Sequence, residues 1–365
     1  VHLMTNTIRT VLLFGGRSAE HEVSILSARS VAATAPPRIE LIPICIARDG
    51  RFVAPERSAR ILAGEEKSVI GDADFSFEIW ARSETFDIVL PLIHGTGGED
   101  GALQGYLETL GIPYVGSGVT ASAVGMDKVH MKQAFASAKL PMVDYVAVTE
   151  AEWKNERERV TRAVANVLRL PYFAKPANSG SSVGVTKVKK DTDLGAAIEL
   201  ALRFDEKVLI ERGIDAREIE VSVLGNESPE ASVAGEIVAA REFYDYSDKY
   251  VENKSQLVIP AKLAKDKSEE IRRYAVTAFR VVGASGFARV DFFLERGTNR
   301  LYVNEINTIP GFTNISMYPK LWEATELKYA RLIERLIELG VERARARKTR
   351  REGMMQWFDE VAGIA

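Results

Sequence analysis

The chain has 365 residues, 46% of them hydrophobic and 27% charged, with a formal net charge of −3. Such a length allows roughly two or three domains, and such a composition a sizeable buried core. The slightly acidic balance gives no support to nucleic acid as a partner, and no run approaches the ~18 apolar residues of a membrane span. The single cysteine, Cys45, excludes an internal disulfide and a multi-cysteine zinc site, and its apolar setting (Leu41 to Ile46) reads as core. Val1-His2-Leu3-Met4-Thr5 carries no apolar segment of a signal peptide, so a cytoplasmic compartment is expected.

Val11 to Phe14, followed by Gly15-Gly16, reads as a buried strand and a tight turn. A helix is expected over about 19–33, a strand over 41–47, a strand over 88–93 ending in a glycine-rich loop, and a helix over 101–110. Strand and helix alternate here, as in a parallel α/β layer, and this first domain should end near residue 120. Helices are expected over 128–139 and 150–168. From about 171 to 238 several strands surround one helix (192–203), and helices over 268–282 and 326–339 flank a strand pair at 286–307. Strands mixed with a few helices suggest α+β for this remainder, and no internal repeat is visible. Val341 to Arg351 holds six basic residues and one acidic one, a solvated helical tail or a contact for a partner or an anionic surface.

Familiar nucleotide motifs are missing. No Gly-Lys dipeptide occurs, which excludes a Walker-type P-loop, and the glycines after His94 lack dinucleotide spacing. Four scattered histidines give no histidine metal site. The segment Tyr172 to Val185 sets a loop of small residues between two strand-like ends. Such a loop lets backbone N–H groups and hydroxyls approach phosphate oxygens, with Lys175 adding a charge; alone, it reads equally as a mobile hairpin loop.

The pair 286–307 is more informative. Arg289 and Asp291 share a strand face, as do Glu305 and Asn307, and a turn near Thr298 sets Asp291 roughly opposite Glu305. Opposed carboxylates are destabilising unless neutralised. A Mg²⁺ ion bridging phosphates would do that, with Asn307 as a third oxygen donor. The competing reading is an exposed hairpin with a salt bridge to Arg289. Residues 241–256, with Arg241, Phe243, Tyr244, Tyr246, Lys249 and Tyr250, form a connection long enough for a lid or a surface loop.

Five segments together carry a resemblance: Gly15 to Ser24, His94 to Gly101, Lys175 to Gly184, Tyr244 to Tyr250, and Asn304 to Thr313. In this order and spacing the chain resembles the D-alanine:D-alanine ligases of the ATP-grasp group over about residues 10–340. The resemblance implies a three-domain architecture of α/β and α+β type: an N-terminal α/β substrate-binding domain (1–120), central (121–213) and C-terminal (214–340) ATP-grasp subdomains, and the basic tail (341–365) outside it. ATP would lie between the latter two subdomains. Lys128 and Lys175 would contact its phosphates, with Ser182, Val183 and Gly184 covering them. Glu211, Arg212 and Ile214 would meet the adenine and Glu218 the ribose. Asp291, Glu305 and Asn307 would hold two Mg²⁺ ions, Mn²⁺ being the alternative, and a monovalent cation is admitted.

The implied reaction joins two D-alanines through an acyl phosphate. Glu20 would bind the first ammonium, with His94 nearby. Arg289 and the Gly311 N–H would stabilise the tetrahedral oxyanion, and Lys249 the transferred phosphoryl group. Ser316 and Met317 would receive the second substrate. Glu20, Ser181 and Tyr250 would tie the lid shut and keep water from the acyl phosphate. Plain structural roles compete: a helix start at Glu20, an N-cap at Ser316, a structural hydrogen bond at His94. Tyr250 argues against a D-lactate acceptor; a D-serine acceptor is harder to exclude. A homodimer through the N-terminal domain is also implied.

Overall fold

The computed structural model describes residues 7–238 and 256–362. The first sheet contains β1 (Ile8–Gly15), β2 (Ile39–Ile46), β3 (Phe52–Val53) and β4 (Ile88–Pro91), in the order β3-β2-β1-β4. β1 runs parallel to both β2 and β4, while β3 is a short antiparallel edge. Val11, Leu12, Leu13 and Phe14 are fully buried, as a central parallel strand covered on both faces requires. The helices of this layer are α1 (His21–Thr34), α2 (Pro55–Ala63), α3 (Phe77–Ser83) and α4 (Ala102–Thr109). Gly15 and Gly16 turn the chain with φ of +93° and +98°; a Cβ on Gly15 would stand 2.2 Å from the Ile46 carbonyl oxygen, so only glycine fits. α1 starts at His21, later than the apolar pattern suggests, which leaves Glu20 outside the helix. Cys45 is buried, as its setting indicated.

Next come α5 (Val119–Met126), α6 (Lys128–Ser137), β5 (Tyr145–Thr149), α7 (Glu150–Asn155), α8 (Arg157–Val167), β6 (Tyr172–Pro176), β7 (Thr186–Val188), α9 (Leu194–Ala201) and β8 (Lys207–Arg212). Their strands form an antiparallel sheet in the order β5-β8-β6-β7. The single helix expected over 150–168 is two helices. Thr149 and Glu152 form a capping box at the start of α7, and Glu156 leaves the helical region with φ −138° and ψ 38°. The break lets Trp153 of α7 and Val160 and Val164 of α8 reach one core.

Residues 213–215 connect this sheet to the third. The third comprises β9 (Ala216–Gly225), β10 (Glu230–Val238), β11 (Gln256–Val258), β12 (Gly286–Glu295) and β13 (Leu301–Asn307), in the order β11-β10-β9-β12-β13. α10 (Lys265–Val281) packs on it, and α11 (Met317–Glu323) and α12 (Tyr329–Ala362) follow. The β12–β13 register pairs Asp291 with Glu305, as the turn position predicts.

α12 unites the helix expected over 326–339 with the basic stretch expected as a helical tail. It continues for 34 residues, through the basic stretch, which is thus helical. Its first turns bury Leu332, Ile333, Leu336 and Ile337 in one core with Leu12, Phe14 and Leu90 of the first sheet and Phe287, Phe312 and Tyr318 of the third unit. Arg38 pairs with Glu334 and Glu338, Arg347 with Glu108, and Arg343 stacks 4.7 Å from the Tyr114 ring. Beyond Lys348 the helix is exposed, with Met354, Trp357 and Phe358 about half accessible. No helix among the described residues is long and apolar enough to cross a membrane.

Leu336 is fully buried where these elements meet. Leu336→Ala is expected to cost about 2–5 kcal/mol, read as a lower urea midpoint with an unchanged slope.

Candidate active site

One cavity of about 540 Å³ opens where the three sheets meet. Every described residue singled out from the sequence lines it except Gly184, which sits inside the small-residue loop at its edge. Lys249 and Tyr250, like most of the 241–256 segment, lie outside the described residues.

The loop between β6 and β7 bends over the cavity with Ser181, Ser182 and Gly184 at φ of 49°, 60° and 71°. Two consecutive non-glycine residues in the left-handed region store strain, a feature of ligand-clamping loops. The Ser181 hydroxyl donates to Glu20 Oε1 at 2.5 Å. Glu20 is the N-cap residue of α1, where a carboxylate is favoured, but its side chain bonds Ser181 and makes no cap hydrogen bond to the helix. Gly95 and Gly180 flank it; a Cβ on either would come within 2.9 Å of Glu20 Oε2. The Glu20–Ser181 contact therefore joins the first layer to the loop of the second across 161 residues.

His94 is 3% exposed and holds the far wall. Its Nδ1 donates to the Ile309 carbonyl at 2.9 Å, and its Nε2 pairs with Ser27 Oγ at 2.9 Å. Burial disfavours its charge, but the neighbouring Glu99 carboxylate, with Glu20 behind it, outweighs that and raises its pKa. Burial also raises the Glu99 pKa. Ser27 accepts from the Phe312 N–H, so α1 fixes the loop that carries Gly311. A Cβ on Gly311 would meet Ser316 Oγ at 3.0 Å. Ser316 is the residue before α11, yet its hydroxyl does not cap the helix; it lies 2.7 Å from Thr313 Oγ1 and accepts from the Thr313 N–H. Met317 is buried against Ile237 and Leu321.

The cations of the opposite wall come from α6 and β6. Lys128 donates to the Ser179 carbonyl at 2.7 Å and stands 4.0 Å from Glu305. Lys175 and Lys132 each lie 2.5 Å from one oxygen of Glu211, which is 2% exposed. Burial alone would push the Glu211 carboxyl up, but the two lysines pull it down to about 2. Both oxygens of Glu211 are therefore paired with lysines. The Arg212 guanidinium points to Tyr302 and Glu295, and its backbone N–H donates to Asp144, while Ile214 and Glu218 border the cavity from the inter-sheet connection and β9.

On the floor, Arg289 forks onto both Asp291 oxygens at 2.7 Å each, so the ion pair of the competing hairpin reading exists, inside a cleft rather than on an exposed surface. That carboxylate and Glu220 keep the Arg289 pKa well above its usual value despite burial. Asn307 Nδ2 donates to Asp291 Oδ2 at 3.0 Å. Two opposed carboxylates with an adjacent amide are hard oxygen donors of the kind that suit Mg²⁺ or Mn²⁺.

Models of the D-ala D-ala ligase C-terminus and N-terminus match residues 134–338 and 9–117. The chain belongs to the D-alanine–D-alanine ligase family. It is similar to the D-alanine–D-alanine ligase of Chloroherpeton thalassium, 44% identical over 95% of this chain and 100% of the relative. That of Geobacillus thermodenitrificans is 46% identical over 92% and 96%. Among solved structures, the D-alanine-D-alanine ligase from Coxiella burnetii superposes with a TM-score of 0.80 at 34% identity, covering 96% of this chain and 99% of that one. The VanG D-Ala:D-Ser ligase from Enterococcus faecalis also gives 0.80, at 32% identity, covering 92% and 100%. The architecture is accordingly ATP-grasp, and family membership implies ATP and a divalent metal.

Three groups at the site received no role from sequence: Lys132, Glu99 and Glu220. Lys132 follows Lys128 by four residues on one helix, and Glu220 follows Glu218 by two on one strand, so periodicity could have flagged both. Glu99 lay within the segment carrying His94.

The Lys132–Glu211–Lys175 set makes a pH prediction. The Glu211 pKa falls from 4.5 to about 2, so its contribution to stability is complete above pH 4.5 and is lost as pH falls toward 2. Unfolding free energy measured across that window should fall less steeply in Glu211→Gln than in the parent. Lys132→Met, which leaves a buried carboxylate with one partner, should destabilise by about 3–5 kcal/mol at neutral pH.

Proposed function

We propose that the cavity ligates two D-alanines to D-alanyl-D-alanine at the expense of ATP, supplying peptidoglycan synthesis. Extensive identity to ligases of that name over nearly the whole chain supports the reaction. The single observation carrying the site reading is the convergence, in one cleft, of an acidic substrate anchor, lysines at a small-residue loop, and an opposed carboxylate pair.

In this reading Lys128, Lys175 and the N–H groups of Ser182, Val183 and Gly184 hold the ATP phosphates. Glu211, Arg212 and Ile214 meet the adenine; Glu211 contributes with a carboxylate already shared with two lysines. Glu218 takes the ribose. Asp291, Glu305 and Asn307 hold divalent ions, two Mg²⁺ or Mn²⁺, which neutralise charge developing on the phosphates; an accessory monovalent cation is admitted. Asn307 then turns its amide oxygen inward.

Glu20, fixed by Ser181 and walled by Gly95 and Gly180, accepts the ammonium of the first D-alanine, and His94 and Glu99 brace that wall. The substrate carboxylate attacks the γ-phosphorus to give the acyl phosphate and ADP. The amine of the second D-alanine then attacks the acyl carbon, and phosphate leaves. Arg289 and the Gly311 N–H stabilise the oxyanion of that step. Ser316 receives the second carboxylate beside Met317. Lys249 and Tyr250 would complete the phosphoryl site and the lid. A homodimer and a cytoplasmic setting belong to the same proposal.

The likeness to a D-Ala:D-Ser ligase makes the acceptor the point to test. Phosphate release with ATP and Mg²⁺ should occur with D-alanine alone and yield the D-alanyl-D-alanine mass. Turnover that requires D-serine or D-lactate would overturn the acceptor assignment. Glu20→Gln, losing a charged hydrogen bond to the ammonium, should raise KM for the first D-alanine roughly ten- to hundredfold with the melting temperature retained.

A further inference from the structure

The register of β9, β12 and β13 sets three carboxylates in one row: Glu220 beside Asp291, and Asp291 beside Glu305. Arg289 lies on the same face, forked onto both oxygens of Asp291. Its Nε also stands 3.0 Å from Glu220 Oε2. Glu220 is 6% exposed and has no part in the roles given above.

A carboxylate that accepts a bidentate guanidinium has committed the oxygens facing it. Of the roughly four lone-pair sites of Asp291, the fork takes two and Asn307 Nδ2 a third, so a divalent cation on the same carboxylate would stand close to the guanidinium and repel it. Loading therefore displaces Arg289 from Asp291. The guanidinium must nonetheless stay charged in a largely water-poor site, where a buried cation lacking a counter-charge is strongly disfavoured. A second carboxylate already lies within ion-pair distance.

We propose that Glu220 is a positioning residue that receives Arg289 when a divalent cation takes Asp291, so that loading exchanges an Arg289–Asp291 pair for an Arg289–Glu220 pair. Before loading, the Arg289 guanidinium contacts both Asp291 and Glu220; afterwards it stays with Glu220, and the cation offsets the charge of Asp291 and Glu305. The exchange also fixes Arg289 toward β9, on one side of the cation, where it can face the reacting carbonyl. Glu220 acts through Arg289, whose Nε stands 3.0 Å from it, and not as a ligand. The inference rests on Asp291, Glu305 and Asn307 being the ligand set.

The test is Mn²⁺ affinity of the full chain in the presence of ADP, read from the free-ion paramagnetic resonance signal without turnover. Asp291→Asn should abolish high-affinity binding. Glu220→Gln should weaken it about tenfold, the scale of coupling between contacting charged groups. In an Arg289→Met background Asp291 is already released, so adding Glu220→Gln should change nothing further. A loss that persists in that background overturns the proposal, because Glu220 would then act on the ion directly. Unchanged affinity in Glu220→Gln with Asp291→Asn still impaired also overturns it, while leaving the ligand set standing. An Asp291→Asn variant that binds normally overturns both. Should Glu220→Gln fail to fold, Glu220→Asp, which keeps the charge one methylene further back, should show a smaller loss, and no loss overturns the proposal.

Discussion

Asp291 and Glu305 face each other on one rung of the β12–β13 ladder, and much of the site answers that repulsion. Opposed carboxylates in a half-buried sheet must be neutralised. The chain brings Arg289 onto one of them and Lys128 within 4.0 Å of the other. The same two cations border the phosphates and the reacting carbonyl in the proposed chemistry. The groups that balance these carboxylates are thus the groups the proposed reaction calls on.

A second charge cluster governs the opposite wall. Lys132, Glu211 and Lys175 sit in the interior between α6 and the second sheet. Buried ion sets add little net stability over an apolar packing, but they tolerate no missing member. This set fixes the height of Lys175 above the cavity. Glu20 is fixed differently, by two glycines that leave room for its carboxylate alone and by a strained serine that bonds it. Glu20 comes from the first layer, Lys175 and the Ser181 loop from the second and Asp291 from the third, so the site exists only when the layers are assembled.

Much of this was legible from sequence because period-two patterning survives in strands. Alternation put Arg289 with Asp291 and Glu305 with Asn307, and the turn set their register. The parallel first layer was legible from uninterrupted apolar runs, and the resemblance supplied which residues should converge. Other features were not. The break between α7 and α8 rests on a capping box and one non-helical residue, which an apolar pattern averages over. Lys132 looks like any helix-surface lysine until Glu211 arrives from a strand 79 residues later. The fork of Arg289 on Asp291, rather than on Glu220 alone, is a competition between near neighbours that spacing cannot decide. Both parts of α12 were legible as helix, but not their continuity, because the second half is charged on several sides and gives no single apolar face.

The position of α12 also bears on how the chain is made. The core beneath β1 and β4 is completed by Leu332, Ile333 and Leu336, from the far end of the sequence. During synthesis from the N-terminus, α1 and α2 can cover only part of that face, and the rest waits for the segment around Leu332 to Leu336. The earliest-made sheet is therefore among the last to close, and part of its apolar face stays open while the later segments are still being made.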